Sequence, residues 1–184
     1  MKPAAPEPLA LDYSAIAALA ETIAQKTGIR TLPDFSPLVQ GMGGSIARVP
    51  PSRWAAPDAL SLLVRGPRDF VVYLAESPSL VERLLLATAI GQYFLHAQEG
   101  RRPSGFPRFA KTQTSLEGLW FGMSIVIPDA PFALAESRQE LDDETVARLF
   151  GVPTALIALK RKLLDSERAR QRAVRAAPAS EAAA

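Results

Sequence analysis

The stretch Arg83-Leu84-Leu85-Leu86-Ala87-Thr88-Ala89-Ile90-Gly91-Gln92-Tyr93-Phe94-Leu95-His96 constrains the fold more than any other part of the chain. Its apolar residues cover most of a helix surface rather than one stripe, which predicts a long helix buried on nearly all sides. Such a helix is stable only where other elements surround it. The remaining sequence supplies them.

Ser14 is a candidate cap for a first helix in which Ile16, Leu19, Ala20 and Ile23 share a face, and Gly28 suits its end. Asp34 opens a short second helix that stops at Gly41-Met42-Gly43-Gly44. Three β-prone runs follow, at Ser45–Val49, Leu60–Arg65 and Asp69–Leu74, with Gly66-Pro67-Arg68 as a hairpin connection. They predict a small antiparallel sheet of about three strands. Ser77-Pro78 is placed to open the central helix.

Beyond it, Ser115 is a candidate cap for a helix whose apolar face holds Leu116, Leu119, Trp120, Met123 and Ile127. Asp142 caps a helix closed by Gly151, and Pro153 opens a last helix that runs to about Arg175. The fold class is α+β and mostly helical. With 184 residues, 48% of them hydrophobic, one domain over residues 13–164 is expected. The Pro- and Ala-rich residues 1–12 are expected to be disordered to about Leu9. Residues 165–184 read as a basic helix end followed by a disordered Ala-rich tail.

Several function classes drop out. The chain has no Cys, hence no disulfide and no Cys-ligated zinc. No apolar run approaches the roughly 18 residues of a membrane span, and the N-terminus carries no apolar h-region, so no membrane partner and a cytoplasmic location are expected. There is no P-loop and no G-x-S-x-G elbow, and the glycines at 41–44 are too few for a phosphate cradle.

Set beside the zinc-peptidase helix pattern L-A-H-E-L-G-H-Y-L-L-H, the central stretch keeps Leu86, Ala87, Ile90, Gly91, Tyr93, Phe94, Leu95 and His96. Thr88 stands at the first His, Ala89 at the Glu and Gln92 at the second His. A second pattern, E-x-E-A-N-x-F-A-A-x-L-L-M-P, runs in register with Glu117 to Pro128, and Leu149-Phe150-Gly151-Val152 matches the helix pair that follows. Over residues 14–164 the chain thus resembles the ImmA/IrrE family of zinc metallopeptidases, whose fold is zincin-like.

The resemblance makes Thr88, Ala89, Gln92 and Glu117 vestigial metal-site positions, with Glu117 at the third ligand. In an active zincin helix the two His bind zinc and the Glu activates water. A hydroxyl and an amide are poor zinc ligands, and Ala89 offers no base. The expectations are no catalytic residue, no cofactor and no zinc. A residual hydrolase is the remote alternative. Glu117, facing a closed core, is expected within hydrogen-bonding reach of Gln92 or Thr88, or else on the surface at a helix start. His96, the sole histidine, is expected to be structural.

Function then reduces to binding. The resemblance implies a protein partner, a helix-turn-helix transcription regulator of a phage, mobile-element or stress-response system in a bacterium. The alternative is direct DNA binding. Ala147, Gly151 and Ile157 have helix-turn-helix spacing, although a reader presenting Ala155, Ala158 and Leu159 offers bases no hydrogen bonds. Leu159 suits a protein partner better. Lys160, Arg161, Lys162, Arg168, Arg170, Arg172 and Arg175 stand against only Asp165 and Glu167, so the last helix could follow phosphates. The loop holding Arg101, Arg102, Phe106, Arg108, Phe109 and Lys111 interleaves charge with aromatics, as single-stranded nucleic acid requires. Its alternative is a solvated loop with both phenylalanines tucked onto the body.

Overall fold

The computed structural model describes residues 6–176 apart from 78, 109, 139 and 140, and leaves the side chains of residues 31 and 174–176 undescribed. The chain runs through helix α1 (Tyr13–Thr27), a 3₁₀ turn (Ile29–Thr31), α2 (Ser36–Gly41), strand β1 (Gly44–Val49), α3 (Pro51–Trp54), β2 (Leu60–Gly66) and β3 (Asp69–Ala75). It continues with α4 (Glu82–Leu95), β4 (Ser104–Pro107), α5 (Gln113–Val126), α6 (Asp129–Glu136), α7 (Asp143–Phe150) and α8 (Thr154–Ala176).

Side-chain caps fix the starts of α1, α5 and α7. The Asp12 carboxylate accepts from the Ala15 N–H at 2.8 Å, so α1 begins one residue before Ser14, and Gly28 at φ 65° ends it. Thr112, rather than Ser115, caps α5 by accepting from the Ser115 N–H at 3.2 Å. Asp142 caps α7 as its position predicts. The central helix α4 starts at Glu82, with Val81 at its N-cap position and no side-chain cap; of the expected Ser77-Pro78 start, Pro78 lies outside the described residues.

The sheet has four strands, not three, and is mixed, not antiparallel. Its order is β1-β3-β2-β4. Strands β2 and β3 form the expected hairpin, but β1 pairs with β3 in parallel. The connection through α3 keeps the chain at one end of the sheet and skips one strand position. Strand β3, returning from the hairpin at the other end, fills that position and therefore has to run in the direction of β1. Strand β4 adds to the free edge of β2. Its Gly105 and Pro107 hide it from a propensity reading, and proline is tolerated at an edge because no inner ladder needs its N–H.

Phe70, Val72 and Leu74 of β3, each 1% exposed, turn one face of the sheet toward α4. Helix α5 packs on the other side of α4, and α1 packs on α5. The central helix is thus enclosed by sheet and helices, and Leu86, Ala87, Ala89, Ile90, Tyr93 and Leu95 are all buried. No single described helix is long and apolar enough to cross a membrane.

Candidate functional site

A cleft of about 550 Å³ opens beside α4. Val72 and Tyr73 of β3, Leu84 and Leu85 of α4, and Leu116 and Leu119 of α5 wall it, together with Pro107, Arg108, Ala110, Lys111 and Thr112. Thr88, Ala89 and Gln92, one turn apart on α4, form its floor. The three positions that the resemblance singled out on α4 lie together along this cleft. Gln92 is 3% exposed, and neither its Oε1 nor the Thr88 hydroxyl has a hydrogen-bond partner among the described residues.

Those two groups are pressed against α5 by glycine. A Cβ at Gly122 would lie 2.5 Å from the Thr88 Oγ1, and one at Gly118 would lie 2.7 Å from the Gln92 Cγ. The two helices approach closely enough that only glycine fits opposite the polar side chains.

Glu117 departs from expectation. It is fully buried, so it is no surface residue, yet its carboxylate is hydrogen-bonded to neither Thr88 nor Gln92. Gly118 occupies the place opposite Gln92, and the neighbouring Glu117 consequently points toward the C-terminal end of α4. There its Oε2 accepts from the Leu9 N–H at 3.1 Å and its Oε1 from the Gln113 side-chain amide at 3.4 Å. The His96 Nε2 stands 3.4 Å from Oε2 without making a hydrogen bond, while Nδ1 donates to the Glu7 carbonyl at 3.1 Å. Burial pushes the imidazole below its ordinary pKa and outweighs the pull of the Glu117 carboxylate.

The segment from Pro6 to Asp12 is therefore part of the site. The Thr114 hydroxyl donates to the Pro6 carbonyl at 3.4 Å, and Glu7 and Leu9 engage His96 and Glu117 through main-chain groups. Residues 1–5 lie outside the described residues, but the chain expected to be disordered to about Leu9 is anchored from Pro6 onward. Backbone donors leave no trace in side-chain patterns, which is why the sequence does not reveal this strap.

The donor set does not fit zinc. A hydroxyl and an amide sit where zinc requires imidazoles, Glu117 is committed elsewhere, and no group of three or more His, Cys, Asp or Glu among the described residues could hold a metal ion.

The basic residues divide sharply. Phe106 is 1% exposed and belongs to the core, so it presents no stacking face. Arg108 lies half-buried in the cleft with its guanidinium 3.0 Å from the centroid of the Trp54 ring, and burial lowers its pKa. Arg101 and Lys111 are exposed, Arg102 is exposed 3.8 Å from Glu7, and Phe109 lies outside the described residues. Trp54, which sequence reasoning missed, follows Pro50-Pro51 on α3. A Pro pair after a strand was its only signal.

On α8 the correction is larger. Lys160 faces inward and is fully buried, donating to the Tyr13 hydroxyl at 2.6 Å and to Asp129 at 2.5 Å. Arg161 bridges Glu136 and Asp143, and Arg170 bridges Glu167 and Asp12. Arg168 pairs with Asp165 at 3.3 Å, whereas Lys162 and Arg172 are exposed. The side chain of Arg175 lies outside the described residues. Leu159 is half-buried against the core rather than outward. Asp12, the cap of α1, and carboxylates of α6 and α7 reach this helix, so part of its local excess of positive charge is neutralised in the fold.

The sequence model of the IrrE N-terminal-like domain, peptidase M78, matches residues 56–162, more than half of the chain. No curated protein matches it.

Proposed function

The chain belongs to the IrrE N-terminal-like domain family of peptidase M78, and we propose that it acts there as a regulatory protein that binds a protein partner without cutting it. The observation that carries this reading is a retained cleft of about 550 Å³ whose floor presents Thr88, Ala89 and Gln92. Hydrolysis at such a floor would require two imidazoles and a base to generate hydroxide. Binding requires only the cleft and its surroundings.

The partner class follows from the resemblance and is a helix-turn-helix transcription regulator of a phage, mobile-element or stress-response system. Arg101, Arg102 and Lys111 are exposed and accessible to such a partner. Direct DNA binding through α8 draws less support, since Lys160 is buried and Arg161 and Arg170 are held by carboxylates. The test is affinity capture from the protein's own cells with and without nuclease. A transcription regulator retained intact through nuclease treatment supports the reading. Cleavage of that regulator, or recovery of DNA with proteins lost on nuclease treatment, overturns it.

A further inference from the structure

We infer that the cleft is a binding site for a small neutral carboxamide, with the amide group on the Thr88 and Gln92 floor and an apolar body against the leucines of α4 and α5. The site goes beyond the protein-partner reading and does not depend on it.

The floor selects the polar group. Gln92 is 3% exposed, and its Oε1 is a buried acceptor without a hydrogen-bond partner among the described residues; the Thr88 hydroxyl, one turn away, is in the same position. Elsewhere along the cleft Ser61 donates to the Phe106 carbonyl at 3.1 Å, Thr112 shares a hydrogen bond with Ser115 at 3.0 Å, and the Gln113 amide donates to Glu117 at 3.4 Å. Helix α5 supplies no side chain to the floor groups, because it faces them with Gly118 and Gly122. A buried polar group without a partner costs free energy that a ligand with matching groups recovers. A carboxamide matches: its N–H donates to Gln92 Oε1 while its carbonyl accepts from the Thr88 hydroxyl. Side chains at i and i+4 have Cβ atoms about 5–6 Å apart, within the span of one amide and its two hydrogen bonds. Of the two amide heteroatoms, Nε2 is the nearer to Gly118, and the soft terminal torsion of a glutamine lets Oε1 turn to a group on the floor.

Shape and charge select the rest. About 550 Å³ lies within the roughly 300–1,000 Å³ of small-molecule sites, and the walls from Val72, Leu84, Leu85, Leu116 and Leu119 are apolar. An apolar body is the natural occupant beside them. The floor carries no charge, so an ion there would lose hydration without a counter-charge from Thr88, Ala89 or Gln92. Arg108 is engaged over the Trp54 ring and Lys111 is exposed, so the ligand need not carry a charge for either.

The test uses the full chain dialysed against EDTA and titrated by ¹H–¹⁵N NMR with benzamide as probe. Acetophenone, which keeps the ring and the carbonyl but has no N–H, is its counterpart, and benzoate is the charged control. Benzamide is expected to bind about tenfold tighter than either, with shifts centred on Ala89, Gln92 and Leu116. Gln92→Leu and Thr88→Val are near-isosteric and each removes a buried unpaired polar group, so neither should lower the melting temperature. Each should bring benzamide and acetophenone to within about threefold of one another. Equal binding of the probes by the parent chain, no binding of benzamide, shifts away from the cleft, or a preference undiminished in either variant would overturn the assignment. The comparison in the parent chain decides even where a variant fails to fold. A cleft without carboxamide affinity would leave the partner reading untouched, since that reading is judged by nuclease-resistant capture.

Discussion

The buried carboxylate of Glu117 accepts a hydrogen bond from the main-chain N–H of Leu9 at 3.1 Å, across 108 residues of sequence. A position that the family resemblance assigns to a metal ligand is thus satisfied by the chain's own N-terminal strap. Removing the donor without removing the side chain isolates this contact. Leu9→Pro, which lacks the N–H, is expected to cost about 2 kcal/mol in urea unfolding, the usual penalty for an unsatisfied buried acceptor. Leu9→Ala keeps the N–H, and with the leucine side chain 44% exposed it should stay within about 0.5 kcal/mol of the parent. Equal losses in the two variants would mean that the strap contact contributes nothing.

Close approach of α4 and α5 predicts a second result. Alanine normally favours a helix over glycine by about 1 kcal/mol, yet Gly122→Ala is expected to destabilise by about 2–3 kcal/mol because the helices must separate. Its Cβ would meet the Thr88 Oγ1 at 2.5 Å and the Thr88 main-chain N at 2.9 Å. Adding Thr88→Ala should restore only part of the loss, since the main-chain contact remains. Full restoration in the double-mutant cycle would locate the strain in the hydroxyl alone.

Lys160 behaves as a core residue. Lys160→Ala is expected to cost about 3 kcal/mol in chemical unfolding, through lost packing and the lost bonds to Tyr13 and Asp129. Lys160→Met fills similar space and leaves an Asp129 side chain that is 42% exposed and can rehydrate, so its cost should stay below about 1.5 kcal/mol. Lys162→Ala, on the exposed side of the same helix, should change stability by less than about 0.5 kcal/mol. A Lys160→Met variant as unstable as Lys160→Ala would show that the charge, not the volume, holds α8 to α1.

Zinc content separates the binding reading from a residual hydrolase. After EDTA dialysis and re-exposure to zinc, the parent chain is expected to retain none by elemental analysis. Thr88→His combined with Gln92→His places two imidazoles at i and i+4 on the cleft floor and should gain measurable zinc affinity. About one zinc held per parent chain would overturn the non-catalytic reading.

Acid should weaken the fold through His96. Its folded pKa lies below the ordinary 6.5, so between the two values the unfolded chain holds a proton that the folded chain does not. The stability this histidine contributes is complete above pH 6.5 and is lost as pH falls toward the lower folded value. His96→Gln is expected to show a flatter melting-temperature profile from pH 6.5 down to about 5 than the parent. Parallel profiles would contradict a depressed histidine.

Much of the fold was legible because local chemistry encodes it. The continuous apolar surface of residues 83–96 announced a buried helix, Gly28 and Gly151 ended their helices in the left-handed region, and Asp142 capped α7. The sheet was read less well. A hairpin is a local signal, but the parallel pairing of β1 with β3 depends on where the 50–59 connection lies in space, and β4 carries a glycine and a proline that no propensity scale assigns to a strand.

The sequence by itself determined that residues 83–96 form a buried helix, and the family resemblance singled out Thr88, Ala89 and Gln92 on it, which share one side because i and i+4 lie one turn apart. Only the tertiary structure decided what the charged residues do. Whether Lys160 meets solvent or Tyr13, whether Arg161 is free or bridges Glu136 and Asp143, and whether Glu117 faces Gln92 or Leu9 depend on elements brought together from distant parts of the chain. A charge run counts only its neighbours in sequence, whereas electrostatic energy is set by distance in space and by exclusion of water.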